Sequence, residues 1–60
     1  MHKEITVAKT DYMATIYDGH SHIERVVWKD EKGFRYVSIN NNLFDIDFDL
    51  HYEVKVWYRG

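Results

Sequence analysis

Branched and aromatic residues alternate with polar ones at a period of two through most of the chain. A strand turns successive side chains to opposite faces, so this period predicts strands buried on one side. No proline interrupts the pattern, and no segment is barred from a ladder by a missing N–H. The first two strands are expected over residues 4–9, with Ile5 and Val7 on one side, and over residues 12–17. Asp18-Gly19 reads as a two-residue turn, because glycine accepts positive φ and aspartate does so better than most residues. With Tyr17 and His20 as its closing pair, Ala14 stands opposite Ile23 and Tyr12 opposite Arg25. The third strand is expected over residues 22–29.

Asp30-Glu31-Lys32-Gly33 reads as a type I turn with Gly33 in the left-handed bulge position. Closure of Asp30 on Phe34 sets Trp28 opposite Tyr36 and Val27 opposite Val37, on a fourth strand over residues 34–40. Asn40, Asn41 and Asn42 break the alternation and suit a turn. Residues 43–50 admit two readings. Phe44, Ile46, Phe48 and Leu50 alternate with Asp45, Asp47 and Asp49, which argues strand; a short helix capped by Asn42 would put Leu43, Ile46 and Leu50 on one side. The last strand is expected over residues 52–59, with Tyr52, Val54, Val56 and Tyr58 on one face.

Joining the two hairpins separates two faces. One carries Tyr12, Ala14, Ile16, Ile23, Val27, Val37 and Ile39, an aliphatic core interrupted by Arg25, Lys29 and Arg35. The other carries Met13, Thr15, Tyr17, His20, His22, Glu24, Val26, Trp28, Phe34, Tyr36 and Ser38. The solvent face of an antiparallel sheet is usually polar, and a contiguous aromatic patch marks a contact site. Alternatively, the C-terminal strands or residues 43–50 fold over that face and close a small barrel. The expected fold is all-β: one small domain over residues 1–60, a twisted antiparallel sheet of about five strands. It is either a small barrel of the SH3 or OB kind or a dimerising meander.

Size sharpens the question of support. A chain of 60 residues buries only about 60 % of the surface its unfolded form exposes. Such domains lean on disulfides, a metal or a partner chain. There is no cysteine, which removes disulfides and thiolate zinc sites and leaves oligomerisation, here a homodimer, as the first support to expect. The net charge is −2, so no bulk attraction draws the chain to nucleic acid. No apolar run approaches the roughly 20 residues that span a bilayer, and the N-terminus lacks a hydrophobic signal region. With no cysteine, a cytoplasmic protein without membrane contact is expected.

Lys32-Gly33-Phe34-Arg35-Tyr36-Val37-Ser38-Ile39 resembles the first ribonucleoprotein motif at its basic residue, Gly33, Phe34, Tyr36 and Val37. Arg35 stands where glycine or alanine is usual, and Ile39 where an aromatic is. With Trp28 upstream and Glu31 in the turn, the stretch is also similar to a hairpin of cold-shock domains. The resemblance covers under a quarter of the chain. It implies bases stacked on Trp28, Phe34 and Tyr36, with Lys29, Lys32 and Arg35 near phosphates.

Other constellations carry less. Asp45, Asp47 and Asp49 form an acidic face if their segment is a strand, with carboxylates about 6.5–7 Å apart, and a solvated outer face or edge protection explains them better than mimicry of a phosphate backbone. An EF-hand is excluded in its usual form, because no glycine follows the third aspartate and Val56 holds the twelfth position. His20 and His22 share a strand face, with His2 and His51 elsewhere, but nothing in the sequence brings a third ligand from Glu24, Asp18 or His51, so no metal or other cofactor is expected. Ser21 lies between two histidines whose side chains would point to the opposite face, and there is no glycine-rich phosphate loop. No enzyme is expected.

The expected function is a non-enzymatic interaction protein that occupies and modulates or inhibits a protein partner. Small cysteine-free aromatic-rich chains of this sort include inhibitors and adaptors carried by phages and mobile elements, an analogy at the level of class. The contact residues would be Tyr17, Trp28, Phe34 and Tyr36, flanked by His22 and Arg35. Single-stranded nucleic acid on the same aromatics is the alternative.

Overall fold

The alternating pattern resolves, in a computed structural model that describes residues 5–60, into five antiparallel strands of one sheet. They are β1 Val7–Tyr17, β2 His22–Asp30, β3 Arg35–Ile39, β4 Asn42–Asp45 and β5 Glu53–Tyr58. Their order across the sheet is β4-β3-β2-β1-β5. The first four run as consecutive hairpins, and β5 returns to pair with β1 on the far side. Glu4, the expected start of the first strand, and His2 lie outside the described residues.

The Gly33 hairpin forms in the register its turn predicts. Trp28 pairs with Tyr36 and Lys29 with Arg35. The Asp30 amide donates to the Phe34 carbonyl at 3.0 Å, and the Gly33 amide to the Asp30 carbonyl at 3.1 Å. Gly33 has φ +95°, which a side chain would strain. The next hairpin turns on two residues. Asn40 and Asn41 have φ 53° and 66°, between the pair Ile39 and Asn42. Positive φ at both central positions is the twist a two-residue hairpin needs, and asparagine tolerates it well.

The first hairpin departs from its expected register by two residues. Tyr17 pairs with His22, so Ile16 faces Ile23 and Ala14 faces Arg25. The loop is four residues because the Asp18 carboxylate accepts from the His20 and Ser21 amides at 2.9 and 3.0 Å. Those side-chain bonds displace the tighter turn. A slip of two leaves every side chain on its expected face.

The two expected N-terminal strands are one. Between the pairs Lys9–Trp28 and Met13–Val26, three residues of β1 face a single residue of β2. At this bulge the Thr10 hydroxyl donates to the Val27 carbonyl at 2.6 Å and accepts from the Tyr12 amide at 3.1 Å. Thr10 thus supplies ladder bonds that the bulge breaks. Tyr12, expected in the core, is 45 % exposed beside the bulge.

Residues 43–50 are neither a full strand nor a helix. β4 ends at Asp45, and one hydrogen-bonded turn follows, closed by the Asp49 amide on the Asp45 carbonyl at 2.9 Å. Asp45 Oδ1 accepts from the Asp47 and Phe48 amides at 2.8 and 3.0 Å, and Asp49 Oδ2 accepts from the Asp45 amide at 2.8 Å. This reciprocal capping outcompetes the extended chain. From the turn the chain crosses the aliphatic face to reach β5. Ile46 is buried with Ala14, Ile16, Val27 and Val37, and Leu50, Val54 and Val56 pack against them. Burying a side chain such as Ile16, Val27 or Val37 fully stabilises by roughly 1.5–3 kcal/mol. No ladder joins β4 to β5 among the described residues, so the sheet is open rather than a barrel closed by pairing.

Candidate interaction surface

The face opposite the crossing segment is ordered by the strand registers into rows. Asp45, Tyr36, Trp28 and Lys9 lie side by side across β4, β3, β2 and β1. The next row is Val26, Met13 and Trp57, across β2, β1 and β5. Glu24, Thr15 and Lys55 follow, and the last row is His22, Tyr17 and Glu53. Met13 and Tyr36 are each 9 % exposed, while Trp28, Val26 and Trp57 are half-buried. Met13 lies between Val26 and Trp57 in its row, and its sulfur accepts from the Arg59 guanidinium at 4.0 Å.

The residues expected to bind a partner do not all meet. Trp28 and Tyr36 are direct neighbours. Tyr17 and His22 stack on each other at 4.4 Å between ring centroids, but six residues along β2 place them about 20 Å from Trp28. Phe34 lies beyond the end of β3, 42 % exposed, and sets its ring edge-on to Phe48 at 6.1 Å. Arg35 alternates onto the other face, paired with Lys29, and bridges to Asp47 at 3.1 Å. Trp57, in contrast, belongs to the patch and was not among the expected residues. Its indole N–H donates to Thr15 Oγ1 at 2.8 Å across the β1–β5 ladder. Only the pairing of β5 with β1 brings it there, and no turn in the sequence encodes that pairing.

The expected acidic face of Asp45, Asp47 and Asp49 does not form, because the strand stops at the first of them. Asp45 and Asp49 cap the turn, and Asp47 holds Arg35. Around Tyr36 the carboxylates have a different role. The Tyr36 hydroxyl donates to Asp30 Oδ2 at 3.0 Å. Partial loss of solvent raises the phenol above its ordinary range, and Asp30, with Asp45 and Asp49 farther off, adds to the shift. The same loss of solvent pushes Asp30 up, but donors from Phe34, Tyr36, Lys32 and Gly33 outweigh it and hold the carboxyl below its ordinary value. Asp18 is also held low, first by the Ser21 and His20 amides.

On the aliphatic face, the crossing segment leaves one end open. There a groove of about 520 Å³ is lined by Tyr12, Val27, Lys29, Arg35, Val56 and Tyr58, among others. Tyr12 and Tyr58 form one wall, edge to face at 5.3 Å. Among the described residues no three histidine, cysteine, aspartate or glutamate side chains converge as a metal ion requires. No helix among them is long and apolar enough to cross a membrane. Comparison of the chain with protein-family models, with curated proteins and with solved structures gives no match.

Proposed function

We propose that this chain is a non-enzymatic interaction domain that acts by occupying a protein partner, and that its contact surface is the sheet face centred on Met13, with Val26, Trp28, Tyr36 and Trp57 around it. One observation carries the reading. Among the described residues every connection is a hairpin loop except one, and that one packs on the opposite face. The aromatic rows are left without a covering layer, whereas tryptophan and tyrosine are the residues that most often dominate interface energies. Tyr17 and His22 extend the surface at one end, and Phe34 borders it at the Gly33 turn.

Charge favours protein over single-stranded nucleic acid. Stacked bases on Trp28 and Tyr36 would bring phosphates toward Asp30, Asp45 and Asp49. Lys29 and Arg35 alternate to the far face, and Lys9, which lies beside Trp28 on this face, is outnumbered there by the three aspartates.

A photo-crosslinking amino acid at Glu24, on the aromatic face, tests this against one at Lys29, on the other. In extract from the source cells, the Glu24 position is expected to give a discrete protein adduct that Trp28→Ala abolishes. Adducts of equal yield from both positions would contradict the reading, as would crosslinking to nucleic acid alone.

A further inference from the structure

The two edges of the sheet differ in what they offer a neighbour. On β4 the Ile46 amide donates inward to the Arg35 carbonyl at 2.9 Å, so in an antiparallel ladder Leu43 and Asp45 point their backbone groups outward. Asp49 takes both groups of Asp45, through its carboxylate and its amide. That edge keeps one residue, Leu43, open for pairing. On β5 the Arg59 amide donates inward to the Asp11 carbonyl at 2.8 Å. By the same alternation Val54, Val56 and Tyr58 turn their N–H and C=O groups outward, along a strand of six residues. No proline or bulge interrupts it, and an open edge of this kind is a template for another strand.

We infer that β5 pairs antiparallel with β5 of a second copy, about a twofold axis through Val56. Only registers that set even residues against even residues join the outward groups, and side chains choose among them. An axis through Val56 places Val54 opposite the partner's Tyr58 and Val56 opposite the partner's Val56. Three hydrogen-bonded pairs result, about six bonds at two per pair. On the aromatic face Lys55 then meets the partner's Trp57, a cation on an indole ring, and Glu53 meets the partner's Arg59. Both contacts occur twice by symmetry. An axis through Lys55 instead sets Lys55 against the partner's Lys55, and like charges directly opposite are destabilising. An axis through Val54 leaves Trp57 and Tyr58 beyond the ladder. Lys55 ordinarily guards an edge strand; in the Val56 register it becomes a contact. Tyr58, 65 % exposed in the single chain, is covered on its outer side. The pairing joins two sheets into one, with both aromatic faces on the same side. It shares Trp57 with the reading of that face as a partner surface, but the ladder itself uses the outward backbone groups of β5, which that reading does not.

Sedimentation equilibrium of the full chain, from micromolar to millimolar concentration, tests the pairing. The wild type is expected to form a dimer. Glu53→Arg or Arg59→Glu alone is expected to weaken self-association about tenfold, the scale of two exposed ion pairs turned repulsive. The double variant Glu53→Arg/Arg59→Glu restores it. A wild type that stays monomeric at millimolar concentration overturns the inference, and so do single variants that dimerise as the wild type does, or a double variant that fails to recover. A mixed isotope-labelled wild-type sample gives a second readout: intermolecular contacts between Val56 and the partner's Val56 are expected, and contacts in any other register overturn the proposal.

Discussion

Tyr36 reaches back across the Gly33 turn and donates its hydroxyl to Asp30 Oδ2 at 3.0 Å, while Asp30 Oδ1 accepts the Lys32 and Phe34 amides at 2.9 Å each. One carboxylate therefore ties the turn to the aromatic face. Asp30→Ala is expected to lower the melting temperature and to speed amide exchange at Lys32 and Phe34. Asp30→Asn keeps an acceptor without the charge and falls between. Unchanged exchange at both amides in Asp30→Ala would show that the turn does not depend on this carboxylate.

The same groups set the dependence of stability on pH. Asp30 and Asp18 are held below their ordinary value of 3.8. A carboxylate with a lowered folded pKa contributes fully above its unfolded pKa, and the contribution is lost as pH falls through the folded value. Acid destabilisation is thus expected below about pH 4. Tyr36 is shifted the other way, above 10.0. Its contribution is complete below the unfolded value and lost as pH rises through the folded one. Melting curves across pH should show both limbs. Asp30→Asn flattens the acid limb, and Tyr36→Phe flattens the alkaline limb and removes a late-ionising tyrosine from the ultraviolet titration. An alkaline limb that persists unaltered in Tyr36→Phe would assign it elsewhere.

Ile46 and Phe48 lie two residues apart in the same turn with opposite environments, 7 % and 70 % exposed. Ile46→Ala is expected to cost about 2–5 kcal/mol, a large share of the roughly 3–9 kcal/mol typical of a domain this size. Phe48→Ala should change stability by only about 0.5 kcal/mol. Urea denaturation of the two variants decides, and equal losses would mean that the crossing segment is not seated as described.

Asn41 holds φ 66° in its two-residue turn. Asn41→Ala is expected to cost about 1–2 kcal/mol, the penalty of a left-handed residue with a Cβ and no compensating side-chain bond. Asn41→Gly should be neutral or stabilising by up to about 1 kcal/mol, since glycine is preferred there. Thermal melts of the pair check the sign, and a stabilising alanine would rule out this turn geometry.

What the sequence makes legible follows from how local each determinant is. The Gly33 hairpin is readable because the turn and its closing pair lie within a few residues, and both faces of β2 and β3 follow from it. The Asp18 loop is readable in place but not in length, because a side chain rather than the backbone closes it. The aspartates after Leu43 imitate strand alternation, yet their short carboxylates prefer nearby amides, so the extended pattern ends at Asp45. The pairing of β5 with β1 joins residues far apart in sequence, as Trp57 and Thr15 are by 42 positions, and no local pattern announces it. Trp57 is therefore the part of the candidate surface that only the fold supplies. Alternation from the turn puts Arg35 on the aliphatic side, and its ion pair with Asp47 shows what occupies it there.

Among the described residues, the segment between β4 and β5 covers the aliphatic face and leaves the aromatic one bare. Methyl nuclear Overhauser spectra test it directly. Ile46 and Leu50 are expected to show contacts to the methyl groups of the core formed by Ala14, Ile16, Val27 and Val37, and none to the indole rings of Trp28 and Trp57. Contacts from Leu50 or Ile46 to either indole, with those to the core absent, would contradict the account.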